Sequence, residues 1–355
     1  MILHKLSYAF SIDTKGLIGI DSQVNKLMSL LAIGLDDVRI IGIRGMGGIG
    51  KTTLARVVYG ILFNKFEACC FIPNIREDSK KCGLLRLQQS LLFELTESYV
   101  NIQDVDNGVL VIKNRLHHKR ILLVLDDVTK LDQLNKLAGE HNWFGRGSRV
   151  IITTRDGHLL LTHKVDDIYE PTELNYDEAL HHFSSKAFGE DHPVVGYQTL
   201  SQYFVQYASG LPLAINVLGS FLFKRSTAEW ESALGRLKEY PEREILDVLQ
   251  ISYDGLKERE KNIFLDIACF FNRKHEDYVV SILQTLYDQP IIDIDVLKEK
   301  SLITTSWGKK LQMHDLLQEL GREIVRRESP ENPSQQSRLW LGEEIFHMLK
   351  YSEIS

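Results

Sequence analysis

Cysteine is scarce in this 355-residue chain: Cys69, Cys70, Cys82 and Cys269 are the only four. No two have C-x-x-C spacing, which argues against a zinc site. Free thiols in a reducing compartment, cytosol or nucleus, are the simplest account. A basic excess is also missing. The formal net charge is −6, so bulk nucleic-acid binding is not indicated. The longest apolar stretch, Leu211 to Phe223, is interrupted by Asn216 and Ser220 and is too short to span a bilayer. The start, MILHKLSYAF, is broken by His4, Lys5 and Ser7 and does not read as a secretory signal. There is no internal repeat and no low-complexity segment. What remains, 44% apolar and 25% charged residues, is the composition of a soluble globular protein long enough for two or three domains.

The strongest positive signal is GMGGIGKTT at 45–53, directly after the apolar run Val38 to Ile43. The pattern G-x-x-x-x-G-K-T between a buried strand and a helix is a phosphate-binding loop. Gly45, Gly47, Gly48 and Gly50 let the backbone curl so that successive N–H groups converge on phosphate oxygens. A helix opening near Lys51 adds its positive end. Lys51 is expected on the β- and γ-phosphates, the Thr52 hydroxyl on Mg²⁺, and Thr53 beside them. The bare pattern arises by chance in roughly one chain per hundred of this length, and the strand–helix context narrows it further.

A second motif supports the first. ILLVLDDV at 121–128 is a continuous apolar run ending in acids, as for a strand buried on both faces of a parallel sheet. Asp126 falls at the carboxyl end, where open α/β sheets bind ligands, and is expected to hold Mg²⁺ through water. Asp127 is then placed to orient or deprotonate an attacking water. The plainer reading, an Asp pair capping a helix before Leu131, loses ground once a phosphate loop precedes it.

The first 170 residues alternate strand-like runs (38–43, 68–73, 121–125, 148–153, 166–170) with helical segments (51–64, 84–97, 130–138, 156–162), which predicts a parallel sheet wrapped by helices. From about 172 the strands stop. Helical patterns cover 177–188, 194–208, 213–223 and 227–237, with Pro212 well placed at a helix start. Beyond Pro241, helices at 243–252, 256–270 and 275–286 precede two short strands, 301–305 and 309–313, around a Ser306-Trp307-Gly308 turn. That is a winged-helix layout. A helix is expected at 316–326 with Asp315 as its cap, then a polar loop at 328–337 and a last helix at 339–349. The expected division is a P-loop α/β domain at 1–171, a helical bundle at 172–240 and a winged-helix domain at 241–355.

With these landmarks placed, the chain resembles the NB-ARC nucleotide-binding module of plant intracellular immune receptors. The resemblance is carried by GLIGIDSQVNKL (16–27), GMGGIGKTT (45–53), ILLVLDDV (121–128), GSRVIITTRD (147–156), GLPLAINVLGS (210–220), FLDIACFF (264–271) and MHD (313–315). FIPNIRE at 71–77, FLDIACFF and the lack of Trp after LDDV resemble the subclass with an N-terminal TIR domain. Thr129 stands where such relatives often have Asp. The resemblance implies that the three parts are the nucleotide-binding, ARC1 and ARC2 domains. It also implies that Arg155 is a sensor arginine, that Pro212 packs on the nucleotide, that Ile18 and Gly19 contact adenine, and that His314 touches the β-phosphate of ADP. The TIR and leucine-rich repeat domains of such receptors are expected partners. Neither lies within 1–355, so the chain reads as a fragment, a truncated product or an excised module.

The function this implies is a molecular switch, off with ADP and on with ATP. Slow Mg²⁺-dependent hydrolysis resets it, and the active state is a homo-oligomer in the cytosol or nucleus. Two alternatives stand beside it. A catalytic remodelling ATPase would turn over fast and repeatedly. A DNA-binding winged-helix regulator would use Arg322, Arg326, Arg327 and Arg338 as a local basic patch, against the acidic balance of the whole chain.

Overall fold

The computed structural model describes residues 17–239, 242–306, 308–330 and 332–340. The last helix expected at 339–349 therefore falls almost wholly outside the described residues, as does Trp307 of the expected turn. The chain divides into two compact units. One runs up to Gly45 and from Ile49 to His182; the other takes in Met46–Gly48 and the chain from Phe183 onward.

The first unit is built on five parallel strands: β1 (Arg39–Arg44), β2 (Ala68–Ile72), β3 (Ile121–Val128), β4 (Arg149–Thr154) and β5 (Asp167–Tyr169), in the order β2-β3-β4-β1-β5. Alternate residues of β3 feed opposite cores. Leu123 and Leu125 join one, with Ile72, Leu91 and Ile152; Leu122 and Val124 join the other, with Ile43, Leu54 and Val58. This is why its run is apolar without a break. Strand β4 lies between β1 and β3, with Thr154 in register with Arg44 on one side and Val128 on the other. Its carboxyl end is thus set between the loop that follows β1 and the acids that end β3.

The helices of this unit are α1 (Ile20–Leu31), α2 (Lys51–Leu62), α3 (Ile75–Lys81), α4 (Gly83–Thr96), α5 (Val105–Leu116), α6 (Leu131–Leu137) and α7 (Gly157–Thr162). Three of them, α1, α3 and α5, are absent from the helices expected from sequence. The carboxyl end of α1 is clamped by Arg149 of β4. That side chain is 1% exposed and donates to the carbonyls of Leu31, Ala32, Leu35, Asp37 and Ser148 and to the Asp37 carboxylate. A guanidinium there supplies donors to the orphan carbonyls of a helix end and complements its negative pole.

Helix α8 (Tyr176–Ala187) carries the chain across the division, and α9 (Gln198–Ala208), α10 (Pro212–Leu222) and α11 (Thr227–Glu239) follow. Trp230, fully buried, packs edge-on against Phe183 and Phe204 and donates its indole N–H to the Leu222 carbonyl. Next come α12 (Arg243–Asp254), α13 (Glu258–Asp266) with a π-helical turn at Ile267–Phe271, and α14 (Glu276–Leu283). The turn ends with Asn272 N–H donating to the Ile267 carbonyl five residues back. An unexpected α15 (Ile291–Glu299) precedes the hairpin β6 (Thr304–Thr305) and β7 (Leu311–Gln312), whose strands are shorter than predicted because Ser301 and Lys309 adopt positive φ. Helix α16 (Asp315–Glu328) closes the series, and Gly321 lets it approach Ala268 closely.

Candidate functional site

The phosphate loop has the backbone its glycines foretell. Gly48 and Gly50 sit at φ 83° and 98°, a region that L side chains rarely adopt. Gly50 precedes α2 and offers no side-chain cap, so the positive end of that helix faces the loop. Lys51 is 7% exposed and donates to the Gly45 carbonyl at 2.7 Å. Burial, reinforced by Arg155, pushes its ammonium down to about 7 against the pull of Asp127 and Asp126. A buried cation held at such cost suits an anionic partner.

Beside the loop, Asp126 is 1% exposed and one of its oxygens accepts two hydroxyls: Thr52 at 2.8 Å and Thr153 at 2.6 Å. Hydroxyl and carboxylate oxygens, with phosphate oxygens to complete the set, suit a hard cation such as Mg²⁺ better than a softer metal. No cluster of three or more His, Cys, Asp or Glu side chains suited to a metal occurs among the described residues. The residues present therefore fit Mg²⁺ carried in with a nucleotide rather than a protein-only cage.

Asp127 takes a left-handed backbone, φ 56°, where the pairing of β3 with β4 becomes irregular. Its N–H donates to the Thr153 hydroxyl at 2.9 Å. Its carboxylate faces Arg76 Nε at 2.8 Å and Arg155 Nε at 4.0 Å. Burial lowers the Arg155 guanidinium from its ordinary value, with Asp127 opposing. Lys51, Thr52, Asp126, Asp127 and Arg155 thus meet within one unit. Thr53 follows on α2, half-buried. Two further members, Thr153 and Arg76, were not singled out from sequence. Thr153 lies inside the ITTR run, and Arg76 inside FIPNIRE, which had carried only a family likeness. Ile18 and Gly19 lie at the start of α1, where Gly19 has φ 75° and a side chain would meet Leu174 and Glu178.

The remaining candidates lie in the second unit. Pro212 is the first residue of α10, and the next N–H, that of Leu213, donates to the Gly48 carbonyl at 3.2 Å. His314 stands against Ser209, the residue before Gly210-Leu211-Pro212, with Nε2 3.3 Å from its carbonyl. His314 Nδ1 accepts from Leu316 N–H at 3.1 Å, so the neutral ring carries its proton on Nε2 and donates to Ser209. This corrects the expected cap. His314, not Asp315, caps α16, because the ring reaches the second N–H of the helix while Asp315 turns outward. Asp315 instead pairs with Arg273 and accepts from Ser209, each at 3.1 Å. Three of the four arginines of the DNA-binding alternative have acidic partners inside the unit: Arg326 and Arg327 pair with Glu323, and Arg338 with Asp266.

Known proteins resemble this chain over most of its length. The model of the NB-ARC domain matches residues 20–192. The winged-helix model described for Roq1-like disease resistance proteins matches 257–329. The chain is 46% identical over 326 residues to the disease resistance protein RUN1 of Vitis rotundifolia, covering 91% of this chain and 24% of that protein. It is 41% identical over 338 residues to the TMV resistance protein N of Nicotiana glutinosa, covering 93% of this chain and 29% of that protein. The chain thus spans about a quarter of the length of the curated relatives it matches. Among solved structures, a Walker-type ATPase of Pyrococcus abyssi shares the fold. Its TM-score is 0.57 at 14% identity, over 86% of this chain and 96% of that one. No helix among the described residues is long and apolar enough to cross a membrane.

Proposed function

The chain belongs to the NB-ARC family, and from that premise we propose that it is the ADP/ATP switch module of an intracellular plant immune receptor, off with ADP and on with ATP. The observation that carries the reading is the convergence of Lys51, Thr52, Asp126, Asp127 and Arg155 at the carboxyl ends of three adjacent strands. Residues 1–171 bind the nucleotide, 172–240 form the ARC1 bundle and 241–355 the winged-helix ARC2 domain.

In this reading the loop N–H groups and Lys51 bind the polyphosphate. Thr52 and Asp126 orient Mg²⁺, which when bound neutralises phosphate charge. Ile18 and Gly19 flank the adenine, and Pro212 packs on the nucleotide. His314 holds the closed state by contact with the β-phosphate. Arg155 distinguishes ATP from ADP by whether a γ-phosphate is there to take its guanidinium. A nucleotide shifts the conformation only by its differential affinity for the two states, so the differential contacts are those of Arg155 and His314. Hydrolysis is slow and resets the switch. TIR and leucine-rich repeat domains of the whole receptor read the state out, in the cytosol or nucleus, and the ATP form assembles with further copies.

The test is chemical. Nucleotide released from the purified chain is expected to be ADP, near one per chain, and Lys51→Arg is expected to lose most of it. The planar guanidinium does not replace a compact ammonium in the same buried space. Full ADP occupancy of the folded variant overturns the phosphate-loop assignment.

A further inference from the structure

The FLDIACFF run at 264–271 supplies no residue to the nucleotide site, yet it contains the π-helical turn Ile267–Phe271. Such single turns are rare and are frequent at functional sites. In a regular α-helix the Asn272 N–H donates four residues back, to Ala268; here it donates to the Ile267 carbonyl at 2.9 Å. The Ala268 carbonyl accepts instead from Gln318 Nε2 of α16, at 2.8 Å. Gly321 permits the approach, since a Cβ there would lie 2.5 Å from that of Ala268. The Asn272 side chain then grips both backbone polar groups of Met313. Its Oδ1 accepts the Met313 N–H at 3.0 Å, and its Nδ2 donates to the Met313 carbonyl at 3.3 Å and to Gln318 Oε1 at 3.0 Å. These partners fix the amide orientation, because the reversed amide sets an NH₂ group against the Met313 N–H.

We propose that Asn272, placed by the π turn, is a positioning residue that sets His314 for its contact with ADP. The inference rests on the reading of His314 proposed above. Met313 is 4% exposed and directly precedes His314, so a clamp on its N–H and carbonyl fixes where the His314 peptide begins. The strand leading into it is held on both edges. Leu311 of β7 pairs with Thr305 of β6 on one edge. On the other it accepts from Arg273 N–H at 2.8 Å and donates to the Lys274 carbonyl at 2.9 Å. Beyond His314, α16 is tied back through Gln318 to Asn272 and Ala268. The anchors before and after His314 thus meet at one side chain, Asn272. The ring itself is oriented by the Leu316 N–H and the Ser209 carbonyl. A shift of about 1 Å at Met313 carries that ring away from any partner at hydrogen-bond distance.

The test is dissociation of a fluorescent ADP analogue from the whole chain, from Asn272→Leu, from His314→Ala and from the double variant. A fluorescent, non-hydrolysable ATP analogue is run in parallel. Asn272→Leu is expected to release ADP about tenfold faster, the factor that one or two lost hydrogen bonds of ordinary strength supply. Release of the ATP analogue is expected to stay at the parent rate, since His314 holds only the closed state. In the His314→Ala background the Leu substitution is expected to add nothing. A merely structural Asn272 loosens both nucleotides alike and adds its effect to that of His314→Ala. Gln318→Met keeps the test open should Asn272→Leu not fold. It removes the tie from α16 but leaves the Met313 pair, and is expected to release ADP about threefold faster, again with no effect on top of His314→Ala. Parent-like ADP release from the folded variant, or equal loss of both nucleotides, overturns the proposal. ADP release from His314→Ala no faster than from the parent overturns instead the His314 reading on which it rests.

Discussion

Lys51 allows the binding of nucleotide to be tested by protons alone. In the chain by itself, burial and Arg155 hold its ammonium down to about 7, far below the 10.5 of an exposed lysine. A polyphosphate within reach favours the charged form and raises that value again. Binding must therefore take up a proton wherever the unliganded lysine is neutral and the liganded one is charged. Below about pH 7 the lysine is charged in both states and affinity is flat. Above it, ADP affinity is expected to fall, approaching tenfold per pH unit, or about 50-fold between pH 7 and 9, as long as the liganded value stays above that range. Calorimetry at pH 8 in buffers of different ionisation enthalpy is expected to report uptake of about 0.9 proton per ADP. Lys51→Met removes the titrating group and is expected to bind weakly with no such uptake. Affinity independent of pH across this window in the parent chain refutes the reasoning.

The same lysine has an opposite effect on the unliganded fold. Its folded value lies below its unfolded value, so the unfolded chain binds more protons between about pH 7 and 10.5. Stability of the unliganded chain is therefore expected to rise with pH through that window, by at most about 1.4 kcal/mol per unit from this group. Nucleotide binding weakens while the bare fold strengthens, a pairing that general alkaline damage to the protein cannot imitate.

Two more outcomes test the frame around the site. Arg149→Met removes a buried guanidinium from the end of α1 and strands its carbonyls, so denaturant unfolding of the unliganded chain is expected to show a loss of about 3–5 kcal/mol; a loss under about 1 kcal/mol contradicts the clamp. Asp315→Val deletes the exposed contacts to Arg273 and Ser209 and a favourable charge in the first turn of α16, together about 1 kcal/mol. ADP is then expected to dissociate roughly fivefold faster; dissociation no faster than from the parent chain removes Asp315 from the contacts that hold the proposed closed state.

Most of the α/β unit was legible in the sequence because its signals are local. An unbroken apolar run means a strand covered on both faces, and every strand expected in the first 170 residues is present within a few residues of its predicted ends. The phosphate loop was legible for a related reason: glycines at positive φ and a lysine at the helix start are chemistry written in one short segment. Helix α3 was not, since IREDSKK buries only Ile75 and so has no apolar periodicity. Helix α1 has apolar spacing, with Val24, Leu27 and Leu31 all buried, but it precedes the first strand and so stands outside the strand–helix alternation. The cap of α16 was misjudged by propensity. Asp is the commoner capping residue, yet an imidazole in a suitable rotamer reaches the same N–H.

What stayed illegible is pairing over distance. Arg149 lies in a run of strand residues and a local reading would turn its charge outward, but its partners are α1 and the loop after it, more than a hundred residues earlier. Arg76 and Asp127 are likewise separated by the rest of α3, by α4 and α5 and by most of β3 before the fold brings them together. The difference matters for function. Motif residues announce which ligand a site accepts, because ligand chemistry dictates residue type at fixed spacing. How fast the site acts depends on what each acid and base is paired with, and only the folded sheet determines that.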